Sequence, residues 1–198
     1  NEGKTGHTLE AYGKAEAWNG VTAITEKPSG AESNKVYADD ITYLNLISNE
    51  EFGLTIEAYT YPDTFAECDG SSSVTYNGDS VPGVKVSQQK RKEFGLAYKT
   101  AVGNDLDGYD HGYKLHLVYG CLAAPSESAY ATVNDSPEAI TFSWEVTTTP
   151  RNVDADPDVY GHFKPTSVLT IDTTKLTATQ LSSLEELEWY IYGLDAKT

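Results

Sequence analysis

Period-two alternation of apolar and polar residues dominates this chain and restricts it to a sheet architecture. From Phe52 to Tyr61, Leu54, Ile56 and Ala58 fall on one side, while Thr55, Glu57, Tyr59 and Tyr61 fall on the other. From Ile140 to Val146 the pattern is cleanest: Ile140, Phe142, Trp144 and Val146 point one way, and Thr141, Ser143, Glu145 and Thr147 the other. Successive side chains of a strand point to opposite faces, so each run predicts a strand with one buried face. Tyr113 to Gly120 repeats the pattern, with Tyr113, Leu115, Leu117 and Tyr119 opposite Lys114, His116 and Val118.

Between these runs the chain offers weaker strands and clear punctuation. Val21-Thr22-Ala23-Ile24 reads as a short strand closed by the turn signal Lys27-Pro28-Ser29-Gly30. Ile41, Tyr43, Leu44, Leu46 and Ile47 predict another. Pro62-Asp63 ends the Phe52–Tyr61 strand, and Phe65 to Cys68 begins a short helical excursion that Asp69-Gly70 stops. Ser71 to Gly83, with Asn77-Gly78 and Pro82-Gly83, reads as turn or exposed loop. A Pro- and Asp-rich loop from Pro150 to Pro165 precedes a last strand, Ser167 to Asp172.

Near the C-terminus the period changes. Leu181, Leu184, Leu187, Glu188 and Ile191 recur at three and four residues, which predicts a helix near 178–192. Thr177 with Gln180 fits a capping box and Gly193 fits the stop. Glu185, Glu186 and Glu188 are expected on its solvated face. The organisation expected is an N-terminal arm with a short strand over 1–35, incomplete at its start, and one β domain over 36–198.

Composition narrows function by exclusion. Thirty acidic residues against 14 basic ones give a net charge of −16, which opposes binding to phosphates, since that binding is driven by Lys and Arg displacing counterions. No stretch approaches the roughly 18–20 apolar residues of a membrane helix, and no basic-then-apolar leader opens the chain. No membrane partner is expected. Cys68 and Cys121 have no CxxC partner and are expected as buried free thiols. Asn104 to Asp110 lacks the sixth-position glycine of a calcium loop and is expected to be a turn between two strands. His7, His111, His116 and His162 are scattered without an HExxH context. The chain carries no GxSxG, GxxxxGK[ST] or GxGxxG motif. No catalytic residue, metal or cofactor is expected, and the chain is not read as an enzyme.

Two long blocks carry a more specific signal. Tyr37 to Gly70 contains EAYTYPD-x-FAECDG, and Phe94 to Pro150 contains HGYKLH-x-VYG and NDSPEAITFSWEVTTTP. These blocks resemble the major tail tube protein of long-tailed, non-contractile bacteriophages. The resemblance implies a mainly β phage tail tube fold: a two-sheet β-sandwich or barrel with one flanking C-terminal α-helix. It implies a virion protein, made in the host cytoplasm, whose partner is itself. Six copies close into a ring, and rings stack into a hollow tube that passes DNA transiently without binding it. A tape-measure protein and a tail terminator are the further partners implied. The family usually carries an N-terminal arm ahead of the segment matched here.

Within that picture, Phe52–Tyr61 and Arg91–Thr100 are assigned to the hairpin that lines the lumen, with Glu57 as a lumen-facing carboxylate. Val84 to Thr100 holds five of the 14 basic residues, Lys85, Lys90, Arg91, Lys92 and Lys99. Lys90, Arg91 and Lys92 are expected to form a basic patch meeting an acidic patch on the next copy; the competing reading is a strand edge kept charged against aggregation. Two alternative functions remain: a monomeric β-sandwich adhesion or carbohydrate-binding module using some of the 14 tyrosines, and the tube subunit of a contractile tail or injection device.

Overall fold

The computed structural model describes residues 15–30, 32–38, 41–47, 50–104, 108–124, 141–153 and 161–192. It is mainly β, a sandwich with one flanking C-terminal helix. The strands are β1 (Val21–Glu26), β2 (Ser33–Ala38), β3 (Ile41–Ile47), β4 (Gly53–Ala58), β5 (Ser72–Tyr76), β6 (Asp79–Val86), β7 (Phe94–Asn104), β8 (Gly108–Ala123), β9 (Phe142–Thr148) and β10 (Val168–Asp172), and the helix is α1 (Ala178–Ile191). Ile140 and the Gly193 stop lie outside the described residues.

One antiparallel sheet runs β1-β4-β9-β8-β10, with β7 on the other edge of β8. Its first layer is β1-β4-β9, held in register by rungs such as Ile24–Ile56–Trp144. The expected alternation is present: Leu54, Ile56, Ala58, Trp144 and Val146 are fully buried. The second layer is β7-β8-β10, where Leu96 and Val168 both sit opposite Val118. Val118, Leu96 and Val168 pack into the same cluster as the β4 and β9 residues, so the two layers face each other across one core. Trp18, ahead of β1, closes one end of that core against Phe65 and Trp144, and its indole donates to the Thr60 carbonyl at 2.7 Å. β1 is thus an integral strand of the main sheet, and β2 spans position 35.

Gly120 is where β8 passes from one layer to the other. At φ +67° it occupies the left-handed region that L side chains rarely adopt, and a Cβ there would collide with the Thr149 backbone carbonyl. The alternation changes phase at this point. His116 and Val118 face the sandwich interior before Gly120, and the fully buried Cys121 and Ala123 face it after. β9 pairs only with Cys121–Ala123, whereas β10 pairs with Lys114–Val118.

Before the bend β8 is buried on both faces. Its second face carries Leu115, fully buried, together with Tyr113, on the side where α1 docks. The capping box predicted at Thr177 and Gln180 is present in both directions. α1 buries Leu184 but leaves Leu181 and Leu187 exposed. Glu185 and Glu186 are solvated as expected, but Glu188 is not: its side chain is only 12% exposed and is bonded to the sheet.

The Ser71–Gly83 segment is not a loop. β5 and β6 form a two-stranded hairpin through Asn77-Gly78, both at positive φ (50° and 91°), the turn that matches strand twist. Its serine-rich strand has too little apolar alternation to announce itself. β2 and β3 form a second separate hairpin. The helical excursion is a short 3₁₀ helix, Asp63–Glu67; of the turn expected over Asn104–Asp110, Asn104 ends β7 and β8 already begins at Gly108, while 105–107 lie outside the described residues.

Candidate assembly surfaces

The outward face of β1-β4-β9 follows from the same alternation that builds the core. With Leu54, Ile56 and Ala58 turned inward, β4 turns Thr55 and Glu57 to the opposite face, where Glu57 is exposed and the Thr55 hydroxyl oxygen is buried. Register sets Ala23 and Ser143 on either side of Glu57, and Thr25 and Glu145 on either side of Thr55. Glu57 is exposed on this face, and its backbone carbonyl accepts a bond from Thr22 Oγ1 at 3.0 Å. Lys27 approaches Glu145 at 3.9 Å, with both side chains more than half exposed. The result is a polar, carboxylate-bearing surface over an apolar core.

β4 and Arg91–Thr100 do not form a hairpin together. β4 lies between β1 and β9, and β7, which begins at Phe94, pairs with β8 alone. The antiparallel neighbour of β7 is β8, with Asn104 paired to Gly108 where the two strands meet.

Lys90, Arg91 and Lys92 sit in the irregular segment between β6 and β7 rather than on a strand edge. They do not form a single outward patch. Arg91 is half-buried and donates from Nη1 to the Ala123 carbonyl at 2.6 Å, with its stem against Gly70. Lys92 pairs with Glu67 at 3.2 Å, both side chains exposed. Lys90 is exposed. Lys85 reaches Asp63 at 3.0 Å.

Two further clusters escaped the sequence reading. Where β1 faces β7, the Tyr98 hydroxyl donates to Glu26, and the Tyr98 ring stacks on His116 at 4.7 Å between centroids. The two imidazole nitrogens meet Thr100 Oγ1 (2.9 Å) and Thr170 Oγ1 (3.3 Å), and Nδ1 lies 3.6 Å from Glu26. Burial first, and then the Glu26 carboxylate, push the Tyr98 phenol well above its usual range. The signal for Glu26 was its position two residues beyond Ile24, on the inward face of β1. Beside this cluster a groove of about 370 Å3 opens between β1 and β7, lined by Trp18, Val21, Ile24, Leu96 and Tyr98.

The second cluster fastens α1 to the sheet. Glu188 accepts from Lys99 Nζ at 2.8 Å and from the Tyr113 hydroxyl at 2.7 Å, and the ammonium lies 4.3 Å from the centre of the Tyr113 ring. Glu188 falls in the stripe of Leu181, Leu184 and Ile191, and that spacing was the available sign that it faces inward.

Both cysteines are free and buried; burial pushes the Cys121 thiol up to about 12 and raises that of Cys68. Among the described residues no group of His, Cys, Asp and Glu is arranged to hold a metal, and no helix is long and apolar enough to cross a membrane. Among those residues, too, the second edges of β1, β7 and β10 pair with no strand. No protein-family model matches the chain, and no curated protein matches it.

Proposed function

We propose that this chain is a self-assembling subunit of a hollow tube of the phage tail type, in which six copies form a ring and the rings stack to conduct DNA. The reading draws on the two sequence blocks that resemble the major tail tube protein. The observation that carries it is the division of labour between layers. α1 docks on β7 and β8 of the second layer, whereas β1-β4-β9 turns a polar face bearing Glu57 and Glu145 to the outside, as a wall in contact with water requires.

Tube closure also gives a use to the free strand edges, which in a monomer are an aggregation liability and in a ring become joints. Glu57 is then a lumen carboxylate. A wall bearing such groups repels phosphates, so DNA slides without sticking. The tape-measure protein and tail terminator remain partners under this reading. A sugar-stacking module has less support: among the described residues the exposed Tyr59, Tyr76, Tyr190 and Tyr192 are dispersed over the end of β4, the β5–β6 hairpin and the end of α1.

Negative-stain electron microscopy across a concentration series tests the proposal. Rings or hollow tubes with sixfold symmetry are expected. A protein that stays monomeric from micromolar to near-millimolar concentration overturns it.

A further inference from the structure

Among the described residues, exposed apolar side chains gather on the β5–β6 hairpin and on one flank of α1. On the β5–β6 hairpin, Tyr76 is 72% exposed, Val84 45% and Val86 47%. Val84 and Val86 share one side of β6 by alternation, with Val86 the register partner of Ser72, and Tyr76 stands nearer the turn, beyond the register shift between Ser73 and Thr75. A two-stranded ribbon is marginal in water by itself and needs a surface to lie on. The hairpin pairs with no other strand among the described residues, and its apolar side is uncovered. On α1, Leu187 is 37% exposed and Tyr190, one turn on, 66%.

The charges beside these surfaces are complementary at one point. In residues 84–92, VKVSQQKRK, Arg91 is held by the Ala123 carbonyl and Lys85 and Lys92 by Asp63 and Glu67, which leaves the exposed Lys90 as the basic group turned to solvent. α1 turns Glu185 and Glu186 to solvent and carries no Lys or Arg, its Glu188 being held by Lys99 and Tyr113. Lys85 and Lys92 are paired within the chain, but to exposed carboxylates on exposed stems, and such pairs are worth little and reorganise readily. In a chain of net charge −16, this is where a copy of the same protein finds its counter-charge.

We propose that the Val84–Val86 side of the hairpin of one copy docks on the Leu187–Tyr190 flank of α1 of the next. The inference rests on the self-assembly reading and names the surfaces that carry it. Because the two surfaces differ, the contact is heterologous: each copy uses its hairpin on one neighbour and its helix on another, which yields a closed ring or a continuing stack.

The test uses the full chain in two variants that each add one exposed cysteine to the buried Cys68 and Cys121, Val86→Cys and Tyr190→Cys, with wild-type assembly followed by sedimentation. Wild type assembling, together with a disulfide-linked dimer formed on mild oxidation of the mixture but of neither variant alone, is the expected result. Assembly without that cross-link overturns the hairpin-to-helix contact while leaving self-assembly standing, and points to another occupant of these surfaces. Wild type that does not assemble overturns both. As a second readout, Lys90→Glu and Glu186→Lys each raise the concentration needed for assembly about tenfold, and the double variant recovers most of it. Single variants that assemble like wild type count against the contact.

Discussion

Lys99 on β7 donates to Glu188 on α1 at 2.8 Å, and this bond joins the helix to an edge strand of the sheet. With Leu184 the one fully enclosed helix side chain among those described, the bond and the Tyr113 hydroxyl beside it are a large part of the docking. Glu188→Gln keeps the shape and removes the charge, so Lys99 loses its counter-ion. The expected cost is about 1–3 kcal/mol by denaturant unfolding. Amides of α1 should exchange hydrogen earlier than those of β4 and β9; an unchanged exchange pattern would refute the assignment.

The same cluster sets an alkaline limit. Burial acts against the Lys99 ammonium, but its bond and attraction to Glu188 outweigh this and leave its pKa above the ordinary value. Burial, then Glu188, raises the Tyr113 phenol as well. Both folded-state values exceed the unfolded ones, which lie near 10. Their stabilisation is therefore fully present below about pH 10 and is lost as pH rises through the folded values. The unfolding midpoint should fall above that pH in wild type and less steeply in the Lys99→Met, Tyr113→Phe double variant.

Gly120→Ala should cost far more than an ordinary glycine substitution. The left-handed backbone contributes about 1–2 kcal/mol and the collision with the Thr149 carbonyl about 1–3 more. Gly161→Ala is the control: its φ is +84°, but nothing lies within 4 Å of the added carbon, so only the backbone cost of about 1–2 kcal/mol applies. Equal losses from the two substitutions would show that the close approach at Gly120 is not what fixes the bend.

Native protein should be inert to thiol reagents at pH 8. Cys121 is fully enclosed, with its thiol pushed up to about 12, and Cys68 is also buried and raised. Two thiols should titrate with Ellman's reagent once guanidinium unfolds the chain. Rapid native labelling of either would place it at the surface.

If the outward face of β1-β4-β9 lines a tube, Glu57→Lys should leave assembly intact yet make the assembled particles retain short DNA in a filter or sedimentation assay. The retention should weaken steeply with salt, because it arises from phosphate contacts. Particles that form and do not retain DNA would put Glu57 elsewhere than the lumen.

Much of this fold was legible because alternation is a local property. Leu54, Ile56 and Ala58 declare their face whatever they pack against, and Thr177 and Gln180 declare a helix start by themselves. What escaped depends on partners distant in sequence. The phase change at Gly120 is invisible until Thr149 is known to lie against it, and β8 reads as half-buried until α1 covers its second face. The β5–β6 hairpin was missed because serine and glycine dilute its pattern, although Asn77-Gly78 marked the turn. Arg91 looked like surface charge because the Ala123 carbonyl, 32 residues away, cannot be anticipated from its neighbours.

The passage of β8 through Gly120 has a mechanical consequence. A sandwich of two separate sheets yields under load by sliding one sheet over the other, since only side chains hold them. Here one covalent strand belongs to both layers: tension passes from β9 into β8 and from β8 to β7 and β10 through ladder hydrogen bonds, and crosses between the layers along the peptide bonds of β8. Sliding would require stretching the backbone itself. A subunit built this way transmits pull from one layer to the other without a slip plane, and its first failure under strain falls at the edges of the sheet.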